Sequence, residues 1–205
     1  MEVFLFPLVN VTLFPHTTKP LNIFEPRYLA MVKDAVAQQK PIALAYIEDP
    51  TKVAPVRPGD PIPFIRDVAG YGHVQIIEER VNGTLLVFLQ GQGKLRIKHT
   101  IDRGTPYMVC EADIIPEQLI VEPSHLVRLQ GLMKILTRWV HTHIPDPAQR
   151  DMFMRNLHHA PDIVGAFSSY MVRDYDLQQM VLEFNDINEK VDFLHRLTES
   201  NELTT

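Results

Sequence analysis

Hydrophobic and polar positions change rhythm near the middle of this chain. Up to residue 117 the apolar residues come in short runs cut by Pro and Gly; beyond Pro123 they recur at helical spacing. The runs Phe4–Phe6 and Val11–Phe14, closed by Pro7 and Pro15, predict two short strands. Pro26 predicts the start of a helix, where its missing N–H costs nothing. Tyr28, Leu29, Val32, Ala35 and Val36 give that helix one apolar face, with Phe24 packed into the core just ahead of it. Ile42–Ile47 predicts a strand, and the five prolines from Pro50 to Pro63 predict a surface loop. His73–Val81 and Thr84–Gln90 flank Asn82-Gly83, a pair suited to a type I′ hairpin turn. Gly91 and Gly93 predict a second turn before a strand over Lys94–Ile101, and Tyr107–Ile115 predicts a last strand.

The second half reads as a bundle of about five helices. Leu126, Leu129, Met133, Leu136 and Val140 form a stripe that Leu132, Ile135 and Trp139 widen. Asp146-Pro147 predicts a capped helix start, Pro161 begins a helix through Met171, and Asp174–Phe184 and Asp186–Ser200 complete the set. Asp186 with Glu189 has the spacing of a capping box. The methionines of this half, Met152 and Met180 among them, are expected mostly in the bundle core. The fold class is therefore α+β: a β-rich subdomain over 1–117, a small curved sheet or partly closed pseudo-barrel, then a helical subdomain over 118–205.

Composition narrows the function classes. At 45% hydrophobic the 205 residues can bury one sizeable core or two small ones. The net charge of −5 offers no general basic face, so nucleic acid is not favoured as a partner. A local strip remains: strand alternation puts Lys94, Arg96 and Lys98 on one face, which keeps an RNA-binding module as the alternative. Cys110 is the single cysteine and shares a face with Met108 and Ala112, which reads as a small buried hydrophobe. The N-terminus lacks a basic signal region and no apolar run is long enough to span a bilayer, so a soluble cytoplasmic protein is expected.

Catalytic and cofactor chemistry finds no constellation. His141 and His143 lie two apart and His158 and His159 are adjacent, spacings that do not converge on one ion from a helix. Ser124, Ser168, Ser169 and Ser200 lack a nucleophile elbow. Gly70-Tyr71-Gly72 and Gly91-Gln92-Gly93 lie between strands and lack the third glycine of a dinucleotide loop. No enzyme activity, metal or cofactor is expected.

Four segments carry a family resemblance: Phe6-Pro7-Leu8 through Phe14-Pro15; Ile23-Phe24-Glu25-Pro26-Arg27-Tyr28 with Met31-Val32 and Asp34-Ala35; Gly72–Ile77 with Asn82-Gly83 and Val87–Ile97; and Leu177–Leu197. In this order they resemble the N-terminal, substrate-binding domain of Lon proteases, a PUA-like β-subdomain followed by a helical subdomain. Where that family often has Gly-Thr before a strand, this chain has Gly70-Tyr71-Gly72-His73. Lon's ATPase and Ser-Lys protease domains have no counterpart in these residues. The resemblance implies recognition without catalysis: unfolded or damaged polypeptides as ligands, and a protease or chaperone as a further partner. Arg27, Tyr28, Tyr71 and His73 are the candidate peptide-recognition residues.

Overall fold

The computed structural model describes residues 1–200. The last five residues of the expected helical subdomain lie outside that range. The chain divides into two compact units, Met1–Ile115 and Pro116 onward.

Six strands and one helix build the first unit: β1 (Glu2–Leu8), β2 (Thr18–Ile23), α1 (Pro26–Gln38), β3 (Ile42–Tyr46), β4 (Val68–Glu79), β5 (Leu85–Ile101) and β6 (Met108–Ile114). The sheet runs β2-β5-β4-β3-β1-β6, and β5 pairs with β6 as well, so five strands close into a barrel with β2 attached outside it. A five-stranded barrel is narrow and needs small side chains inside. Ala43, Ala45, Ala69, Cys110 and Ala112 meet that need, beside Val3, Leu5, Leu95 and Ile97. Ile62, Phe64 and Ile65, from the end of the proline-rich loop, complete this interior cluster. The alternate residues Phe4, Phe6, Ile42, Leu44 and Val109 point outward onto Tyr28, Met31, Val32 and Ala35 of α1. Tyr107 donates a 2.6 Å hydrogen bond to Asp34 and so ties α1 to the start of β6.

Several local expectations are corrected here. β1 does not stop at Pro7 but continues to Leu8. Phe4 N–H bonds toward β3, so by alternation the nitrogen of Pro7 faces the β6 side, where pairing has already ended at Leu5. Val11–Phe14 is not a strand; it is irregular backbone with Thr12, Leu13 and Phe14 buried. It crosses β4 and β5 so closely that a Cβ on Gly70 would lie 1.8 Å from the Leu13 carbonyl oxygen, and one on Gly91 2.1 Å from that of Phe14. Those glycines serve this crossing, and where a turn was expected β5 continues through Gly91 and Gly93 with a register shift at Gln92. The hairpin turn is likewise not type I′. Only Gly83 has positive φ, Gly83 N–H bonds the Arg80 carbonyl, and Asn82 accepts from the Thr84 N–H. That is a type I turn closed by a left-handed glycine. The strand β2, which follows the crossing segment, had no expectation attached to it.

The second unit holds α2 (Leu126–His143), α3 (Pro147–Arg155), α4 (Ala160–Met171), α5 (Tyr175–Glu183) and α6 (Ile187–Glu199). Leu132, Leu136 and Val140 of α2 are fully buried, as are Phe167 of α4 and Val191 and Leu194 of α6. Asp146, Asp174 and Asp186 each cap a helix by accepting from a backbone N–H two residues on. Before α2, the segment at Gln118 lies parallel to the start of α6, where Asn188 accepts from the Glu122 N–H and donates to the Ile120 carbonyl. Lys190 and Glu117 form a buried ion pair at the same place. Met152 and Met180 are exposed rather than in the core.

Candidate functional site

Beyond Gly72, β4 leaves β3 behind, and His73–Glu79, Leu85–Gln90 and β2 form a three-stranded ribbon. Period-2 alternation gives this ribbon two faces. One packs on α1 through Leu21, Ile23, Val74, Ile76, Leu85, Val87 and Leu89. The other carries cross-strand rows set by the register: Thr18–Gln90–His73, Pro20–Phe88–Gln75 and Asn22–Leu86–Glu78. Phe88 stands at its centre, half-buried like Leu86. Ile77, at the bulge before Glu78, is 44% exposed.

The ribbon's edges differ. Gly91 N–H bonds the Thr17 carbonyl, so odd-numbered β2 residues bond β5 and even-numbered ones face outward. Pro20 therefore interrupts the outer edge of β2 without removing a ladder bond. By the same alternation, Val74 and Ile76 turn their backbone groups away from β5. Among the described residues no strand pairs with them there. That edge is open to an added strand.

The four residues expected at the site fall on two elements. Tyr28 is a core residue, 7% exposed, with its ring 4.3 Å from that of Phe6. Burial raises its hydroxyl pKa. Arg27 lies over the Tyr28 ring at 4.6 Å and pairs with Glu25 at 2.8 Å, a closed local group at the first turn of α1. Tyr71 is half-buried against the barrel interior, whereas His73 is exposed on the ribbon's outer face. The structure thus brings His73 to Phe88 and Gln90 and leaves Arg27 and Tyr28 with each other. Phe24, expected in the core, is 68% exposed. Phe88, Leu86 and Ile77 were missed. The available signal was that β5 is apolar on both alternating sets over Leu85–Leu89, which a strand with one solvated face does not need.

The expected basic strip does not survive as a surface. Lys94 is buried, Arg96 pairs with Asp67 at 2.9 Å, and Lys98 pairs with Asp113 at 2.8 Å. The hydrogen bond to Asp113 raises the Lys98 pKa, as expected of a cation engaged by a carboxylate. Two neutralised side chains give RNA phosphates little to displace.

The candidate catalytic and metal residues are held by local structure. Ser168 is buried and donates to the Val164 carbonyl. His141 and His143 donate to the carbonyls of Thr137 and Trp139, one turn back in α2. Ser124 lies 3.0 Å from His125, whose other ring nitrogen is 3.3 Å from Asp192. Arg128 holds the same Asp192 oxygen at 2.6 Å, so His125 reads as a tie between the turn before α2 and α6. A cleft of about 670 Å³ beside the start of α6 is lined by Pro116, Phe184 and the four carboxylates Glu117, Glu183, Asp186 and Glu189 among others. No helix among the described residues is long and apolar enough to cross a membrane.

Comparison with known proteins agrees over the whole length. The Lon protease of Vibrio parahaemolyticus is 22% identical over 210 residues, covering 98% of this chain and 25% of that protein. The Lon protease of Escherichia coli K12 is 21% identical over 203 residues, again 98% of this chain and 25% of the other. The chain thus spans about a quarter of the curated relatives it matches. Among solved structures, the N-terminal domain of Mycobacterium avium complex Lon protease superposes with a TM-score of 0.73 at 11% identity, covering 97% of this chain and 98% of that one. A Lon N-terminal domain protein from Xanthomonas campestris gives a TM-score of 0.65 at 17% identity, covering 95% and 96%. A family profile described as the substrate-binding domain of ATP-dependent protease La (LON) matches residues 2–200, and the chain belongs to that family.

Proposed function

We propose that this domain recognises unfolded or damaged polypeptide and performs no chemistry on it. The observation that carries the reading is the ribbon's outer face: Phe88, Leu86 and Ile77 beside an unpaired β4 edge. An extended peptide added along Val74–Ile76 gains backbone hydrogen bonds that ignore sequence, while apolar side chains settle on Phe88. Recognition of exposed apolar chain needs that combination, and it needs no cofactor. The description of the family as a substrate-binding domain points the same way. In this reading the domain acts as an adaptor that holds a polypeptide for a protease or chaperone. A cytoplasmic setting suits its free, buried thiol.

Fluorescence anisotropy of a labelled, reduced and alkylated polypeptide, with its folded form as control, tests the proposal. Saturable binding of the unfolded form at about 10 μM is expected. Phe88→Ser should weaken it about tenfold, by the size of an aromatic anchor's contribution. Equal binding of the folded form, or an unchanged affinity for the Phe88→Ser protein, rules the ribbon out.

A further inference from the structure

The proline-rich loop between β3 and β4 has more order than a connector needs. Lys52, Pro55 and Pro58 stand three residues apart in it. Val53 has φ −62° and ψ 115°. Ala54 and Arg57 each precede a proline, which disfavours helical backbone at both, and the rings of Pro55 and Pro58 fix their own φ. Residues 53–58 therefore favour polyproline II, a left-handed helix with about three residues per turn. Gly59 ends the run: its φ is +89°, and the Asp60 N–H bonds the Arg57 carbonyl at 3.1 Å. That is a type II turn with Pro58 and Gly59 at its centre.

A polyproline II run presents three edges. The edge of Val53, Val56 and Gly59 is the one fixed to the barrel. Val56 packs against the interior cluster, and the Gly59 N–H bonds the Thr100 carbonyl at 2.8 Å. The Thr100 hydroxyl donates to the Arg57 carbonyl at 2.8 Å as well. Every residue from 51 to 60 other than Val56 is exposed. The edges Lys52-Pro55-Pro58 and Ala54-Arg57-Asp60 are therefore free, and residues 53–56 make no backbone hydrogen bond with a described residue.

We propose that this loop is itself a ligand, docked by a partner domain that has an aromatic-lined groove beside an acidic pocket. Such a groove grips polyproline II through X-Pro pairs on successive turns, and an acidic pocket takes a cation one turn further on. Ala54-Pro55 and Arg57-Pro58 are the two pairs, and Lys52 is the cation. A groove contacts two of the three edges, and the third is the one by which this protein holds the loop. Lys52 pairs with Asp49 at 3.0 Å, but its side chain is 68% exposed, and an exposed pair is readily exchanged for an acidic pocket. Arg57 is exposed too, and its guanidinium can lie over an aromatic ring. The run has a direction: Asp60 stands at the end away from Lys52, where an acidic pocket would repel it. Held in this shape before binding, the loop loses little backbone freedom when the partner arrives. The inference goes beyond the ribbon reading: it concerns a folded partner and uses none of the ribbon's residues.

The test titrates an isolated SH3 domain, which has an aromatic groove and an acidic pocket, into the full chain labelled for nuclear magnetic resonance. Amide shifts confined to residues 51–60 are expected, with a Kd of about 100 μM. The variant Pro55→Ala/Pro58→Ala should bind about tenfold more weakly, and so should Lys52→Glu. All three side chains are exposed, so circular dichroism should stay unchanged. The wild-type chain should also lose about tenfold against an SH3 domain whose pocket carboxylates are changed to amides. Four results overturn the proposal: no binding at about 1 mM, shifts on β4 and β5 in place of the loop, indifference to the double proline variant, or equal affinity for the SH3 domain with the neutral pocket.

Discussion

Substitution of Gly91 by alanine tests the least expected part of the fold, the crossing of the Val11–Phe14 segment over β5. A Cβ at Gly91 would stand 2.1 Å from the Phe14 carbonyl oxygen and 3.0 Å from its carbon. Both atoms are backbone, so no side-chain rotation relieves the overlap. The segment has to move by about 1 Å, yet Leu13 and Phe14 within it are fully buried. Gly91 also bonds the Thr17 carbonyl through its N–H and the His16 N–H through its carbonyl, at 2.8 and 2.9 Å. Overpacking of a well-packed site costs about 1–3 kcal/mol, and with two hydrogen bonds strained as well the upper end applies, about 3 kcal/mol. For a unit of this size that lowers the midpoint by about 10 °C. Because two units unfold in one chain, a single transition cannot be assumed. Trp139 is the only tryptophan and reports the second unit. Amide hydrogen exchange on β2 and β5 must report the first, because Tyr170 and Tyr175 place tyrosine signal in the second unit too. Gly131→Ala is the control, since nothing lies within 4 Å of its added Cβ and it sits inside α2. It should stabilise the second unit by about 0.5–1 kcal/mol. A Gly91→Ala protein with the first unit's stability within about 1 kcal/mol of wild type would falsify the close crossing.

Two further outcomes follow from buried and paired groups. Cys110 is fully buried and burial pushes its thiol up to about 12, so the native protein should resist an aromatic disulfide reagent at pH 8 and react at once in denaturant; rapid reaction of the native form refutes this placement. Burial raises the Asp192 carboxyl, but the hydrogen bond to Arg128 and the charges of His125 and Arg128 outweigh it, and the pKa falls below the ordinary carboxylate value. A lowered folded pKa means stabilisation that is present above the unfolded value of about 3.9 and disappears as pH falls through the folded one. Acid titration of Trp139 fluorescence should therefore show Asp192→Asn less stable than wild type at pH 6, with the difference disappearing as pH falls through the lowered folded pKa of Asp192. A difference that persists undiminished at acid pH would argue against the pair.

Sequence periodicity revealed those elements whose patterns are local. The apolar face of α1, the stripe of α2 and the aspartate caps at Asp146, Asp174 and Asp186 depend on residues a turn apart, and the structure has them except at Val36 of α1 and Leu126 of α2, which are exposed. What stayed illegible depends on partners distant in the chain. Val11–Phe14 has a strand's composition, but its backbone is used in crossing Gly70 and Gly91, some 55 to 80 residues later. Gly91 and Gly93 read as a turn until the crossing at Gly91 and the Tyr71 ring beside Gly93 supply the reasons for glycine. Phe24 looks like core because apolar neighbours surround it in sequence, although Ile23 alone turns inward. Lys94 belongs to a basic strip by alternation, but the register buries it. The ribbon's outer face was hidden for the same reason: its rows join residues from β2, β4 and β5 that no single stretch contains.

On the ribbon, Glu78 and Glu79 are held by Arg80 at 3.4 Å and Lys33 at 3.7 Å. On the proposed reading, the affinity of an added peptide strand therefore rests on apolar contact and backbone hydrogen bonds. Added salt screens neither, and apolar burial strengthens slightly with excluded ions. Binding of the unfolded polypeptide should hold between about 0.1 M and about 1 M salt, although the Debye length shrinks from about 10 Å to about 3 Å over that range. A loss of about tenfold in the same anisotropy titration would mean that charge attraction, not the apolar face and the unpaired edge, carries the binding.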